Sequence, residues 1–214
     1  MELRRESCAE LSVVIVCSVE AEREAVLAAG AACEVLVGGV GPAASAAATS
    51  ARLVGGGVDL VLCAGIGGGF APVGVGELAV ASSIVLADLG AETEDGFVPL
   101  PSLGFGRIAY EVAPSLAVAL CDLTGGHMGT ILTVSTVTGT AATADALGSR
   151  FPDAVAEGME GAGVAAAAVL HGVPFAEIRA ISNLVGPRDR DAWRIPQALE
   201  ALGAAMAGVA RWTP

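Results

Sequence analysis

Three glutamates crowd into SVEAERE, Ser18 to Glu24, where a β-branched run ends and a helical pattern begins. In α/β proteins ligands gather beyond the carboxyl ends of strands, so a carboxylate there can activate a water; acids in a first helical turn also offset the helix dipole. Both readings predict acids at this place. Glu20, Glu22 and Glu24 are more than one general base requires, so at least one of them is a solvated surface charge. A further acid, Glu160, stands in GMEGAG, Gly158 to Gly163, at the head of a small-residue helix. There it either caps the helix or accepts hydrogen bonds from two neighbouring sugar hydroxyls, which would favour positive charge developing on the ring. Met159 beside it packs, or touches the same ligand.

Two other segments carry polar or bare backbone into apolar surroundings. Gly65-Ile66-Gly67-Gly68-Gly69 follows the strand candidate Leu60 to Ala64 and reads as a glycine loop. Phe70 stands where a dinucleotide turn needs its third glycine, and no Gly-Lys-Ser/Thr follows, so neither phosphate-binding signature is met. Bare backbone at Gly67 and Gly68 still lets a flat ligand approach closely and offers N–H groups; a plain tight turn explains the glycines equally. Ser182 and Asn183 end the strand candidate Phe175 to Ile181 ahead of a Gly-Pro turn, a place from which polar side chains face a site.

These residues need a scaffold, and the pattern supplies one. Ser12 to Cys17 reads as a strand, Ala21 to Ala29 as a helix stopped by Gly30, Val35 to Val37 as a short strand, and Ala43 to Val54 as a helix ending at Gly55 to Gly57. Leu60 to Ala64 and Leu78 to Leu86 are strands flanking the glycine loop. Ala87 to Gly106, rich in acids, Pro and Gly, reads as a long surface loop able to act as a lid. Thr130 to Val137 is a strand, Thr140 to Arg150 and Glu160 to Leu170 are helices, and Ile195 to Val209 is an amphipathic helix with Leu199, Leu202 and Met206 at helical spacing. Strands alternating with helices predict a layered α/β fold. No repeat or linker divides the chain, so residues 1–214 read as one domain.

Composition narrows the functions further. Apolar residues make up 54% of the chain, mostly as Ala and Gly, which favours close packing of helices on strands. Eleven Lys and Arg against 23 Asp and Glu give a formal charge of −12, which repels phosphate backbones and anionic membranes. Nucleic acid and membrane partners are therefore not expected. Leu11 to Val19 is flanked by acids, Glu2, Glu6 and Glu10 before it, and reads as a core strand rather than a signal peptide. The uncharged stretch Leu60 to Gly76 is broken by glycines and Pro72 and makes a poor membrane helix. Five cysteines (Cys8, Cys17, Cys33, Cys63 and Cys121) lack CxxC spacing and point to a reducing, cytoplasmic compartment. His127, in the glycine-rich GGHMG loop, and His171, at a helix end, have no acid or Cys at ligand spacing, so no metal is expected.

Together the segments resemble the nucleoside phosphorylase/nucleosidase superfamily over nearly the whole chain. SVEAERE resembles its water-activating segment, AGIGGGFAP its glycine loop, GMEGAG its ribose-binding Met-Glu, and RAISN its purine-binding strand. VSTVTGT, Val134 to Thr140, and VGPRDRDAW resemble the futalosine hydrolase branch rather than the methylthioadenosine nucleosidase branch. The resemblance implies a three-layer αβα fold with a mixed, partly barrel-like central sheet, a homodimer without cofactor, and hydrolysis of the N-glycosidic bond of a purine nucleoside. It implies Glu22 as the base for water, with Glu20 as rival, Glu160 as the ribose clamp, and Asn183 facing the purine N7 edge, with Gly67, Gly68, Met159 and Ser182 around the substrate.

The adenine-specific relatives carry Asp where Asn183 stands. Asn cannot transfer a proton, but its NH2 donates to N7 or O6, and a 6-oxopurine has no exocyclic amine needing an acceptor, so hypoxanthine is favoured over adenine. Acidic SVEAERE occupies the place of a phosphate-binding loop in the family's phosphorylases, which favours water over phosphate as nucleophile. The implied reaction is futalosine plus water giving hypoxanthine and dehypoxanthine futalosine. Arg188 or Arg190, with Trp193, then suits the benzoate end of that substrate; a surface Arg–Asp cluster is the plain alternative. A nucleosidase for methylthioadenosine or inosine-like substrates, and a catalytically silent nucleoside-binding protein, remain as rival readings.

Overall fold

β1 (Val13–Cys17) is buried at every position, which no one-sided sheet permits. Its odd residues, Val13, Ile15 and Cys17, join one hydrophobic cluster; Val14 and Val16 join another on the opposite face. Side chains alternate across a strand, so the sheet must be covered by helices on both sides. The computed structural model describes residues 11–31 and 33–212; Cys8 and the acids Glu2, Glu6 and Glu10 lie outside them.

After β1 come α1 (Glu20–Ala28), β2 (Glu34–Val37), α2 (Pro42–Leu53), β3 (Leu60–Gly69) and β4 (Leu78–Leu86). A hairpin of β5 (Gly90–Thr93) and β6 (Gly96–Pro99) precedes β7 (Ala109–Glu111), α3 (Pro114–Thr124) and β8 (His127–Thr133). The chain closes with α4 (Ala141–Arg150), β9 (Ala154–Gly158), α5 (Gly161–His171), β10 (Phe175–Leu184) and α6 (Ile195–Val209). Val26 of α1, Leu120 of α3, and Leu202 and Met206 of α6 cover one face of the sheet, while Leu53 of α2 and Val164 of α5 cover β1 and β3 on the other. Three αβα layers result. α5 approaches α2 closely because Gly163 has no side chain to strike the Pro42 carbonyl.

The sheet is mixed and partly closed. Strand order runs β10-β4-β8-β9-β3-β1-β2, β7 adds to β4, and a further pairing of β10 with β3 closes five strands into a ring. β3 makes this possible. Its first half pairs with β1 at Leu60 to Cys63, and its last residues, Gly68 and Gly69, pair with Glu157 and Ala156 of β9. The sheet therefore opens where β3 leaves β1 for β9, and a cleft forms at that switch.

Several expectations are corrected. The glycine loop is strand: Gly65 to Gly69 continue β3, paired with Arg179 to Leu184 of β10. Their small size serves packing, since a Cβ on Gly67 would lie 2.6 Å from the Glu157 carbonyl, and one on Gly69 2.8 Å from that of Val73. Ser182 and Asn183 lie within β10 rather than beyond it, at a register shift opposite Gly67 and Gly68. The lid segment 87–106 contains the β5–β6 hairpin, and none of its residues lines the cleft described below. His127 begins β8, which stops at Thr133, short of the expected Val137. β7, α3 and β9 were not anticipated.

Candidate active site

The cleft holds a cavity of about 250 Å³ whose lining includes Glu22, Glu160 and Asn183 together with Gly67, Gly68, Met159 and Ser182. Residues separated by up to 161 positions thus meet where β1, β3, β9 and β10 converge. Arg188 and Arg190 do not line it; both are exposed.

Glu22 is the third residue of α1 and only 2% exposed. One carboxylate oxygen accepts from the Ser18 amide (2.8 Å), the Ser18 hydroxyl (2.7 Å) and the Val19 amide (3.3 Å); the other accepts from the Ile66 amide (2.9 Å). Four donors on an acceptor-only group fix its orientation towards the cavity. Glu20 points outward and pairs with Arg23, so of the two candidate bases only Glu22 reaches the cleft.

Beside it lies Arg179, a residue that pattern reading passed over. It is 1% exposed and threads between glycines: a Cβ on Gly65 would sit 2.7 Å from both the Arg179 Nη1 and the Glu22 Oε1, and one on Gly158 2.8 Å from the guanidinium carbon. Arg179 donates to Glu177 (2.8 Å), pairs with Glu160 (3.1 Å), and donates to the Ile66 carbonyl (3.3 Å). A buried guanidinium needs such partners, and it in turn holds Glu160 at the start of α5. The Gly41 amide donates to the other Glu160 oxygen at 3.2 Å. Glu160 is thus both the first residue before the helix and a positioned carboxylate in the cavity wall.

The opposite wall is built around Asn183. Its Oδ1 accepts from the Ser182 hydroxyl (2.8 Å) and its Nδ2 donates to the Leu184 carbonyl (3.0 Å), leaving the second N–H for a ligand. Glu157, also unanticipated, lines the same cavity at 5% exposure and accepts from the Thr138 amide (2.9 Å) and hydroxyl. Burial pushes its carboxyl above the ordinary value, outweighing the Thr138 hydrogen bonds that act the other way. The available signal was a charge inside an apolar strand, in AVAEG for Glu157 and EIRAIS for Arg179, which demands a partner or a purpose.

Trp193 lines the mouth, with Val19 and Val40 exposed on the rim. The Arg188 guanidinium stacks over the Trp193 ring at 5.3 Å, while Arg190 begins the 3-10 turn that Trp193 ends. Among the described residues no group of three His, Cys, Asp or Glu is gathered as for a metal ion, and no helix is long and apolar enough to cross a membrane.

Comparison with known proteins follows the same lines. The profile of the phosphorylase superfamily matches residues 22–211. Futalosine hydrolase of Streptomyces coelicolor is 53% identical over 191 residues, 85% of this chain and 81% of the relative; that of Acidothermus cellulolyticus is 48% identical over 191 residues, 85% and 77%. Among solved structures, native futalosine hydrolase of Helicobacter pylori superposes with a TM-score of 0.75 at 21% identity, covering 92% of this chain and 94% of that one.

Proposed function

The chain belongs to the phosphorylase superfamily and, within it, to the futalosine hydrolase family, and from that premise we propose that it hydrolyses the N-glycosidic bond of futalosine, releasing hypoxanthine and dehypoxanthine futalosine in the menaquinone pathway. The supporting observation is the convergence of Glu22, Glu160 and Asn183 on one cavity. Glu22 takes a proton from water as the water oxygen attacks C1′. The C1′–N9 bond breaks and its electron pair leaves with the purine. Glu160, held by Arg179 and the Gly41 amide, binds the ribose hydroxyls and offsets the positive charge spreading over the ring. The free Asn183 N–H stabilises negative charge gathering on N7 and O6; the base takes its proton from solvent, because the amide has none to give.

Water rather than phosphate is the nucleophile in this reading. The amides of Ser18, Val19 and Ile66, which could otherwise cradle an anion, are spent on the Glu22 carboxylate. At the mouth, the benzoate ring lies against Trp193 and its carboxylate meets Arg188. One domain acts, and the family carries the further proposal of a cytoplasmic homodimer, which light scattering checks: a monomeric mass overturns it.

The deciding assay incubates the protein with futalosine, inosine and methylthioadenosine separately, without phosphate, and measures free base. Hypoxanthine from futalosine is expected, and Glu22→Gln should lower kcat by roughly 10² to 10⁴. Adenine release would overturn the role given to Asn183, and no base from any substrate would leave a nucleoside-binding protein.

A further inference from the structure

We propose that Glu157 determines base specificity by accepting the N1–H of a 6-oxopurine, on the edge next to the one that Asn183 addresses. This rests on the nucleosidase reading and deepens it.

The geometry comes from Gly68. Glu157 is its partner across the β3–β9 ladder, and the Asn183 Nδ2 lies 3.5 Å from where a Gly68 Cβ would be. The two polar side chains therefore flank one patch of bare backbone in the cavity wall, where a flat base can lie. Around a purine, O6 sits between N7 and N1. A donor placed at N7 and O6 thus has the N1 position as its neighbour, and Glu157 is the acceptor on that side.

Charge strengthens the argument. Among the described residues no Lys, Arg or His pairs with Glu157, in contrast to Glu160 and Glu177, which share Arg179. Thr138 satisfies part of the carboxylate, one donor on each oxygen, and an ionised carboxylate has about four acceptor sites. Burying an anion without a cation is costly, and a ligand N–H offsets that cost where a structural role alone does not. Hypoxanthine carries a proton on N1, whereas adenine presents a lone pair there and is repelled. Asn183 and Glu157 would then read the same tautomer from two adjacent edges.

The test measures binding of free hypoxanthine, adenine and 1-methylhypoxanthine by calorimetry to the wild type, Glu157→Gln and Thr138→Val. Hypoxanthine should bind the wild type roughly tenfold to a hundredfold more tightly than 1-methylhypoxanthine. Glu157→Gln should lose most of the preference for hypoxanthine over adenine, because Gln can turn its NH2 to adenine N1. Thr138→Val, which cuts one tie to the carboxylate but leaves its charge, should keep that preference. Equal wild-type affinity for hypoxanthine and its 1-methyl derivative overturns the proposal without any variant. So does an unchanged preference in Glu157→Gln, or an equal loss in Thr138→Val, which would make Glu157 a mere anchor for its loop. Each of these leaves the nucleosidase reading standing if the wild type releases hypoxanthine from futalosine; failure of that release defeats the reading itself.

Discussion

Burial raises the Glu157 carboxyl above its ordinary value of 4.5, and the charge on Asp88 adds to the rise against the hydrogen bonds of Thr138. A carboxyl raised in the folded chain favours its protonated form there, so its charge subtracts from stability at neutral pH. The penalty is full above the raised folded pKa, shrinks as pH falls through it, and is gone below the unfolded value. Glu157→Gln, which is neutral throughout, should therefore melt higher than the wild type at pH 7, with the difference closing towards pH 4. A lower melting temperature at pH 7 would mean that the two Thr138 hydrogen bonds outweigh the desolvation. A residue retained against stability is expected where function needs an unpaired charge. Glu22, Glu160 and Asn183 were legible in the sequence because each stands near an element boundary, where a polar residue attracts notice. Glu157 and Arg179 were not, because both lie inside apolar strands; Thr138, which holds Glu157, and Glu160, the cavity carboxylate that Arg179 holds, are each 19 residues away, and only Glu177 is near Arg179 in sequence. The pairing of β8 with β9, and of β3 with both β9 and β10, brings those partners together.

The elements show why periodicity found most strands and helices but misread the glycines. β4 and α6 run where alternation and helical spacing placed them, from Leu78 to Leu86 and Ile195 to Val209. Gly65 to Gly69 looked like a turn because β propensity is low in glycine, yet the strand continues there. Crowding explains it: β3 passes beneath Arg179, beside the Glu157 carbonyl and against Ile181, leaving no room for side chains. β9 escaped notice because five residues with an acid at the fourth carry too weak a pattern. Two substitutions separate packing from binding. Gly67→Ala brings a methyl to 2.6 Å from backbone, which cannot turn aside, so β3 and β9 must part; a loss of about 1–3 kcal/mol in urea unfolding is expected. Gly68→Ala meets the Val185 side chain at 2.8 Å, which can rotate. That variant should unfold close to the wild type while its KM for the nucleoside rises, since the methyl stands on the surface proposed for the base. Equal destabilisation by both would show that Gly68 is a packing residue as well.

At the scale of the whole molecule, a formal charge of −12 surrounds a cavity whose wall carries three carboxylates, Glu22, Glu157 and Glu160. Such a field suits a neutral nucleoside and opposes an anionic one. Futalosine, with its benzoate carboxylate, must therefore be drawn in locally, and the Arg188 guanidinium, stacked on the cavity-lining Trp193, is a cation placed to do so. The two influences act over different distances. At about 0.01 M salt the screening length is about 30 Å and the net charge is felt well outside the cleft; at 0.15 M it is about 8 Å and only the neighbourhood of Arg188 remains. Raising salt between these limits should accordingly increase kcat/KM for futalosine and leave inosine, which has no carboxylate, unchanged. Arg188→Ala should lower the futalosine value at both salts and again spare inosine. If kcat/KM for futalosine falls with salt instead, attraction by Arg188 exceeds the repulsion of the whole chain. If neither salt nor Arg188→Ala moves it, the carboxylate end lies away from this rim and the place given to the benzoate is wrong.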